Sequence, residues 1–142
     1  MQQRKNIRLK DYNYTQKGYY FVTICAKDMQ NIFGIIDNYV VVFNENGNKL
    51  KSTVDSFNIE NIEISFYQIM PNHLHIIFEF KTDIGKTLLE VVSLFKSRCT
   101  YSIGKKNIWQ RGYYERVIRD ENEYNRIVKY INENPYRDKY EW

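Results

Sequence analysis

The stretch Met70-Pro71-Asn72-His73-Leu74-His75-Ile76-Ile77-Phe78-Glu79-Phe80 contains the only two histidines of the chain and reads as a turn followed by a strand. Side chains alternate between the two faces of a strand, so His73 and His75 point the same way, with Ile77 and Glu79. Leu74, Ile76, Phe78 and Phe80 point the other way as an apolar row. One face is core. The other presents two imidazoles side by side, able to share one divalent cation. Pro71-Asn72 is a turn signal, so the strand starts abruptly after a hairpin. Upstream, Ile62, Ile64 and Phe66 alternate with Glu63, Ser65 and Tyr67, which predicts an antiparallel partner strand over about residues 59–70. A metal site needs third and fourth partners. The pair alone therefore also admits the plainer reading of two solvated histidines on an outer face.

Further out, Tyr19 to Ala26 is rich in β-branched and aromatic residues and predicts a strand, as does the shorter Tyr39 to Phe43. Leu50, Val54 and Phe57 predict a helix over 44–57 despite Gly47. Leu88, Val91, Val92 and Phe95 predict another over 87–101, and 115–119 is a short strand candidate. In the last helix Asp120 is a cap and Glu123 stands three residues on, as in a capping box. Tyr124, Ile127, Val128 and Ile131 form its buried stripe, and Pro135 stops it near Asn134. Strands with inserted helices predict an α+β sandwich with one helical face. Tyr130 and Asn134 are four apart and share a side of this helix, about 60–100° from the Ile127/Ile131 direction. The Tyr130 hydroxyl is thus placed to reach an open site beside the core. In isolation Tyr130 reads as a boundary residue and Asn134 as an ordinary helix terminus.

With 142 residues, 43% apolar and 27% charged, the chain suits one soluble domain over residues 1–142. No apolar run approaches the roughly 20 residues of a membrane span. The N-terminus lacks the hydrophobic segment of a signal peptide. Cys25 and Cys99 form no close motif and read as reduced intracellular thiols, which predicts a cytoplasmic protein. The net charge of +4 fits a polyanion partner without demanding one. Arg4, Lys5, Arg8 and Lys10 form a basic arm within residues 1–18. Lys96 and Arg98 fall on a predicted helix, and Lys105, Lys106 and Arg111 surround Trp109. Cations interleaved with rings suit single-stranded nucleic acid, where phosphates and base faces are bound together. Most of the 13 tyrosines read more simply as core or strand residues.

Five blocks in order then carry a resemblance: Met70-Pro71-Asn72-His73-Leu74-His75; Phe95-Lys96-Ser97; Trp109-Gln110-Arg111-Gly112-Tyr113-Tyr114-Glu115; Ile118-Arg119-Asp120-Glu121; and Tyr130-Ile131-Asn132-Glu133-Asn134-Pro135. Together they resemble the single-tyrosine HUH transposases, nearest the REP-associated tyrosine transposases and related insertion-sequence transposases. The resemblance implies a ferredoxin-like antiparallel sheet with helices on one side, the HUH motif on a central strand and the tyrosine on the C-terminal helix. It implies that His73, His75 and Asn134 bind Mg²⁺ or Mn²⁺ and that Tyr130 is the nucleophile. The implied substrate is single-stranded DNA beside a palindromic hairpin, cleaved to a 5′-phosphotyrosine link and a free 3′-hydroxyl. The connection Lys81 to Lys86 is shorter than in many relatives, and Tyr113 and Tyr114 stand as alternative nucleophiles.

The chemistry is consistent with these roles. Phosphodiester cleavage needs an in-line nucleophile and a means of offsetting charge on the phosphoryl oxygens. Two neutral imidazoles and an amide oxygen leave a cation open positions for phosphate and water. Rejoining suits a tyrosyl phosphodiester, because the return attack needs no external energy source. The competing reading is a catalytically idle, domesticated single-stranded nucleic-acid-binding protein of the same fold. A purely structural metal domain fits poorly, since two histidines and an amide hold a metal weakly. A monomer with its site in one chain is expected over a homodimer, and no membrane partner is expected.

Overall fold

The computed structural model describes residues 17–83 and 85–133. Its main sheet uses β1 (Gly18–Cys25), β4 (Ile62–Met70), β5 (His73–Phe80) and β6 (Tyr114–Ile118), after the hairpin strands β2 (Gly34–Asp37) and β3 (Val40–Phe43). The sheet order is β4-β5-β1-β6, with every neighbouring pair antiparallel. The passage from β1 to β4 steps over β5, the split crossover of a ferredoxin-like arrangement. The strand carrying the histidines is therefore central, flanked by β1 and β4.

Three helices complete the fold: α1 (Glu45–Ser56), α2 (Leu88–Ile103) and α3 (Glu121–Glu133). Asn44 caps α1 by accepting from Gly47 N at 2.9 Å. Thr87 and Glu90 close a capping box on α2, and Gly104, at φ 78°, ends it in the left-handed conformation. Asp120 Oδ1 accepts from Glu123 N at 2.8 Å, as a cap does. The Glu123 carboxylate instead accepts from Arg119 N at 2.8 Å and from the Arg116 guanidinium. The expected reciprocal box is thus displaced by one residue, and it ties α3 to the end of β6.

Tyr20, Val22, Ile24, Leu74, Ile76, Phe78 and Phe80 line one sheet face, buried against Leu50 and Val54 of α1 and Val91, Val92, Phe95 and Cys99 of α2. The other face carries Phe21, Ile77 and Ile118, on which Ile127 and Ile131 of α3 pack. Helices therefore cover both faces, where one helical face was expected. The cause is visible in β1, whose residues from Tyr20 onward are buried without alternation, the pattern of a strand covered on both sides. The β2–β3 hairpin was only half foreseen. Its turn, Asn38-Tyr39, has φ of 52° and 64° at the two positions. Positive φ at both is the geometry that suits a two-residue hairpin, but Asn-Tyr lacks the glycine that usually announces it.

The turn at Pro71-Asn72 is pinned from two sides. Phe33 N donates to Pro71 O at 3.0 Å, and Ala26 N donates to Asn72 O at 2.9 Å. The start of the histidine strand is thereby locked to the end of β1 and the root of the hairpin.

Candidate metal and nucleophile site

The register of the sheet places His75 opposite Thr23 of β1 and Gln68 of β4, and His73 opposite Cys25 and Met70. Directly opposed residues share a face, so all of these side chains stand on the α3 side. Far from being solvated, His73 is 1% exposed and His75 0%. Their rings meet edge to face, 4.6 Å between centroids at 77°, and their Nε2 atoms lie 3.2 Å apart. The outward nitrogens are engaged as well. His73 Nδ1 lies 2.7 Å from Asn72 Oδ1, and His75 Nδ1 lies 2.8 Å from Thr23 Oγ1. Phe21 closes one side of the pair, 5.5 Å from the His75 ring.

Burial pushes the His75 imidazole down to about 3. Burial first, and then the neighbouring His75, holds His73 well below the usual histidine range. Both rings are neutral at pH 7, the form that binds a metal. The donor geometry passes the same test. At metal–nitrogen bonds of about 2.1 Å, a 3.2 Å separation subtends about 100° at a shared ion, within the range of a tetrahedral or octahedral centre. Among the described residues, no group of three His, Cys, Asp or Glu side chains forms a metal cluster. The third ligand expected from sequence, Asn134, lies outside the described residues, as does the arm with Arg4, Lys5, Arg8 and Lys10.

Tyr130 reaches the same site. Its ring lies 6.5 Å from that of His75 at 67°, half-buried beside the stripe formed by Ile127 and Ile131. Of the alternatives, Tyr113 is buried in the core on the α1/α2 side. Tyr114 opens β6 opposite Thr23 and so stands on the histidine face, one strand further away.

The remaining candidates divide. Lys96 is half-buried and donates from Nζ to Gln110 O at 3.1 Å and Gly112 O at 2.7 Å, which ties α2 to the loop before β6. Arg98 lies over the Phe57 ring at 5.3 Å. Lys105, Lys106 and Arg111 are exposed. Trp109 is 9% exposed and packs on Phe33, 5.3 Å between centroids. This corrects the expectation of a base-stacking ring, because an indole sealed in the core offers no open face. Lys96, Arg98 and Trp109 all belong to the α1/α2 side of the sheet, opposite the histidines. Sequence reasoning passed over Thr23 and Asn72, the two contacts of the outward imidazole nitrogens. Asn72 was adjacent in sequence. Thr23 carries no signal until the register of β1 on β5 is known. It also passed over Arg126, exposed one turn before Tyr130 on α3.

No family model matches the chain. It is 36% identical to an uncharacterized protein of Haemophilus influenzae, a match that covers 93% of this chain and 88% of that protein. It is 25% identical to a protein of the same organism named provisionally as a REP-associated tyrosine transposase, over 90% of this chain and 76% of that one. It is 34% identical to the REP-associated tyrosine transposase of Escherichia coli over 53% of this chain and 45% of that protein. Its fold matches the solved structure of a REP-associated tyrosine transposase bound to a REP hairpin, with a TM-score of 0.68, 21% identity, and coverage of 92% of this chain and 73% of the other.

Proposed function

We propose that the chain is a REP-associated tyrosine transposase, as its named relatives and its fold neighbour support, and that it cleaves and rejoins single-stranded DNA beside hairpins, with Tyr130 as nucleophile and His73, His75 and Asn134 holding Mg²⁺ or Mn²⁺. Kinship with transposases supports a transposase-type function. One observation carries the finer reading. Two buried, neutral imidazoles converge through Nε2 at 3.2 Å, and a helix brings the ring of Tyr130 to 6.5 Å from one of them.

In this reading the Tyr130 hydroxyl attacks the phosphorus in line with the departing 3′ oxygen. The tyrosyl oxygen–phosphorus bond forms as the phosphorus–O3′ bond breaks. The phenolic proton is lost, and the leaving 3′ oxygen gains one. A divalent cation at the histidines would offset the charge developing on the phosphoryl oxygens. Reversal by another 3′-hydroxyl rejoins the strand and frees the tyrosine. Phe21 packs against the His75 ring at 5.5 Å, and the burial of the two imidazoles holds them neutral. Because a neighbour of this fold is solved on a REP hairpin, a hairpin of that kind is the DNA of choice for the test.

The test is a denaturing gel with labelled single-stranded hairpin DNA and Mn²⁺. Wild type is expected to give a protein–DNA adduct that survives denaturation and disappears in EDTA. Tyr130→Phe keeps the ring and its packing but removes the nucleophile, so it is expected to bind DNA without forming the adduct. An adduct persisting in that variant would move the nucleophile to another tyrosine, Tyr114 first. Binding by wild type with no adduct under any metal would favour the idle binding protein.

A further inference from the structure

The contacts behind the imidazoles are different in kind. An asparagine Oδ1 can only accept a hydrogen bond, whereas a threonine hydroxyl can donate or accept. The Asn72 amide is oriented by its other end, whose Nδ2 faces the Met29 carbonyl at 3.5 Å. Its oxygen is thus turned to His73 Nδ1 at 2.7 Å. His73 must then carry its proton on Nδ1, which leaves Nε2 as an acceptor. The 3.2 Å contact between the two Nε2 atoms requires one proton between neutral rings, and that proton belongs to His75. His75 Nδ1 is then an acceptor and takes the Thr23 hydroxyl proton at 2.8 Å. One directed chain results: Thr23 to His75 to His73 to Asn72.

That order is incompatible with a shared metal, which needs an unprotonated Nε2 on both rings. We propose that Thr23 and Asn72 are positioning residues with distinct roles, Asn72 fixing the tautomer of His73 permanently and Thr23 acting as a rotor that lets His75 exchange tautomers when a divalent cation binds. On binding, His75 gives up the proton at Nε2 and takes one at Nδ1, with no net change in protons. The Thr23 hydroxyl turns from donor to acceptor for the new Nδ1–H. Without that oxygen the new N–H would sit buried with its partner removed, and such a loss is costly. Partners that orient ligating imidazoles alter metal affinity by about 10–100-fold when removed. The inference rests on the metal reading above and adds to it which residues set the protonation of each ligand.

The experiment has two parts. Nitrogen-15 spectra of the imidazoles are recorded without metal and then with Mg²⁺. His73 is expected as the Nδ1–H tautomer throughout, and His75 is expected to pass from Nε2–H to Nδ1–H. In parallel, Mn²⁺ is titrated calorimetrically into wild type, Thr23→Val and Thr23→Ser. Valine keeps the shape and removes the oxygen, so affinity is expected to fall about 10–100-fold, whereas serine restores the rotor and stays near wild type. Thr23→Val binding Mn²⁺ as tightly as wild type would overturn the proposal. So would metal-free spectra with the reverse order, His73 at Nε2–H and His75 at Nδ1–H. Absence of Mn²⁺ binding by wild type would sink the metal reading and the exchange with it, while the metal-free spectra would still decide the order of the chain.

Discussion

Gly47 sits in the first turn of α1, where replacement by alanine ordinarily stabilises a helix by about 1 kcal/mol. The structure predicts the opposite sign. A Cβ on Gly47 would fall against the Phe33 carbonyl oxygen, far inside van der Waals contact, and would also lie 3.0 Å from Phe43 Cβ and 3.2 Å from Phe33 C. The nearest atom is backbone and cannot swing aside. That oxygen already accepts from Asn44 N at 3.1 Å, while the Asn44 side chain bonds Gly47 N and the Ile32 carbonyl. Relief requires α1 to move off the hairpin root. Overpacking of this kind costs about 1–3 kcal/mol, and strain on the Asn44 cap adds about 1 kcal/mol. Against the propensity gain, Gly47→Ala should destabilise the protein by about 2 kcal/mol. With a urea m-value of about 2 kcal/mol/M, the midpoint should fall by about 1 M. Because Phe33 N also holds the Pro71 carbonyl, the shift should reach the turn bearing Asn72 and His73 and weaken Mn²⁺ binding. An unchanged or higher urea midpoint would refute the steric reasoning, since propensity would then have prevailed.

Arg126 lies one helical turn before Tyr130 and is exposed, so Arg126→Gln should flatten the dependence of log K on log salt for single-stranded DNA by about 0.7, one phosphate contact; an unchanged slope would place the DNA path elsewhere. Lys96→Met should lower stability by about 1–3 kcal/mol, because the Gln110 and Gly112 carbonyls lose a charged donor, while leaving the salt slope intact; the reverse pattern would restore Lys96 as a phosphate contact. Both histidines are held below their unfolded value of about 6.5, so in EDTA their neutral burial contributes stability that is complete above pH 6.5. It should be lost as pH falls below that value toward 3, at up to about 1.4 kcal/mol per pH unit for each ring. Urea midpoints at a series of pH values would measure the decline, and His75→Gln should make it shallower.

Much of the architecture was legible because it follows from local rules. Period-two alternation in 62–80 identified the β4–β5 hairpin and put His73 and His75 on one face. Period-3.6 stripes located α2 and α3, and Asp120 marked the start of α3 through backbone groups that must be satisfied nearby. The ordered blocks from Met70 to Pro135 carried the resemblance to REP-associated tyrosine transposases, proteins to which the chain is similar in sequence and fold. What lay beyond such reading depended on contacts between segments distant in the chain. That α3 covers the histidine face, turning two apparently solvated imidazoles into buried neutral ones, follows from an apolar platform of Phe21, Ile77 and Ile118 assembled from three strands. That Trp109 is core and Lys96 a tie between α2 and a loop depends on where α2 crosses the sheet. Thr23 gains its place behind His75 only through the pairing of β1 with β5 across 52 residues. A sequence states which side chains exist and how often they recur. Burial, hydrogen-bond direction and protonation are set by what packs against them, and they arise when the chain closes on itself.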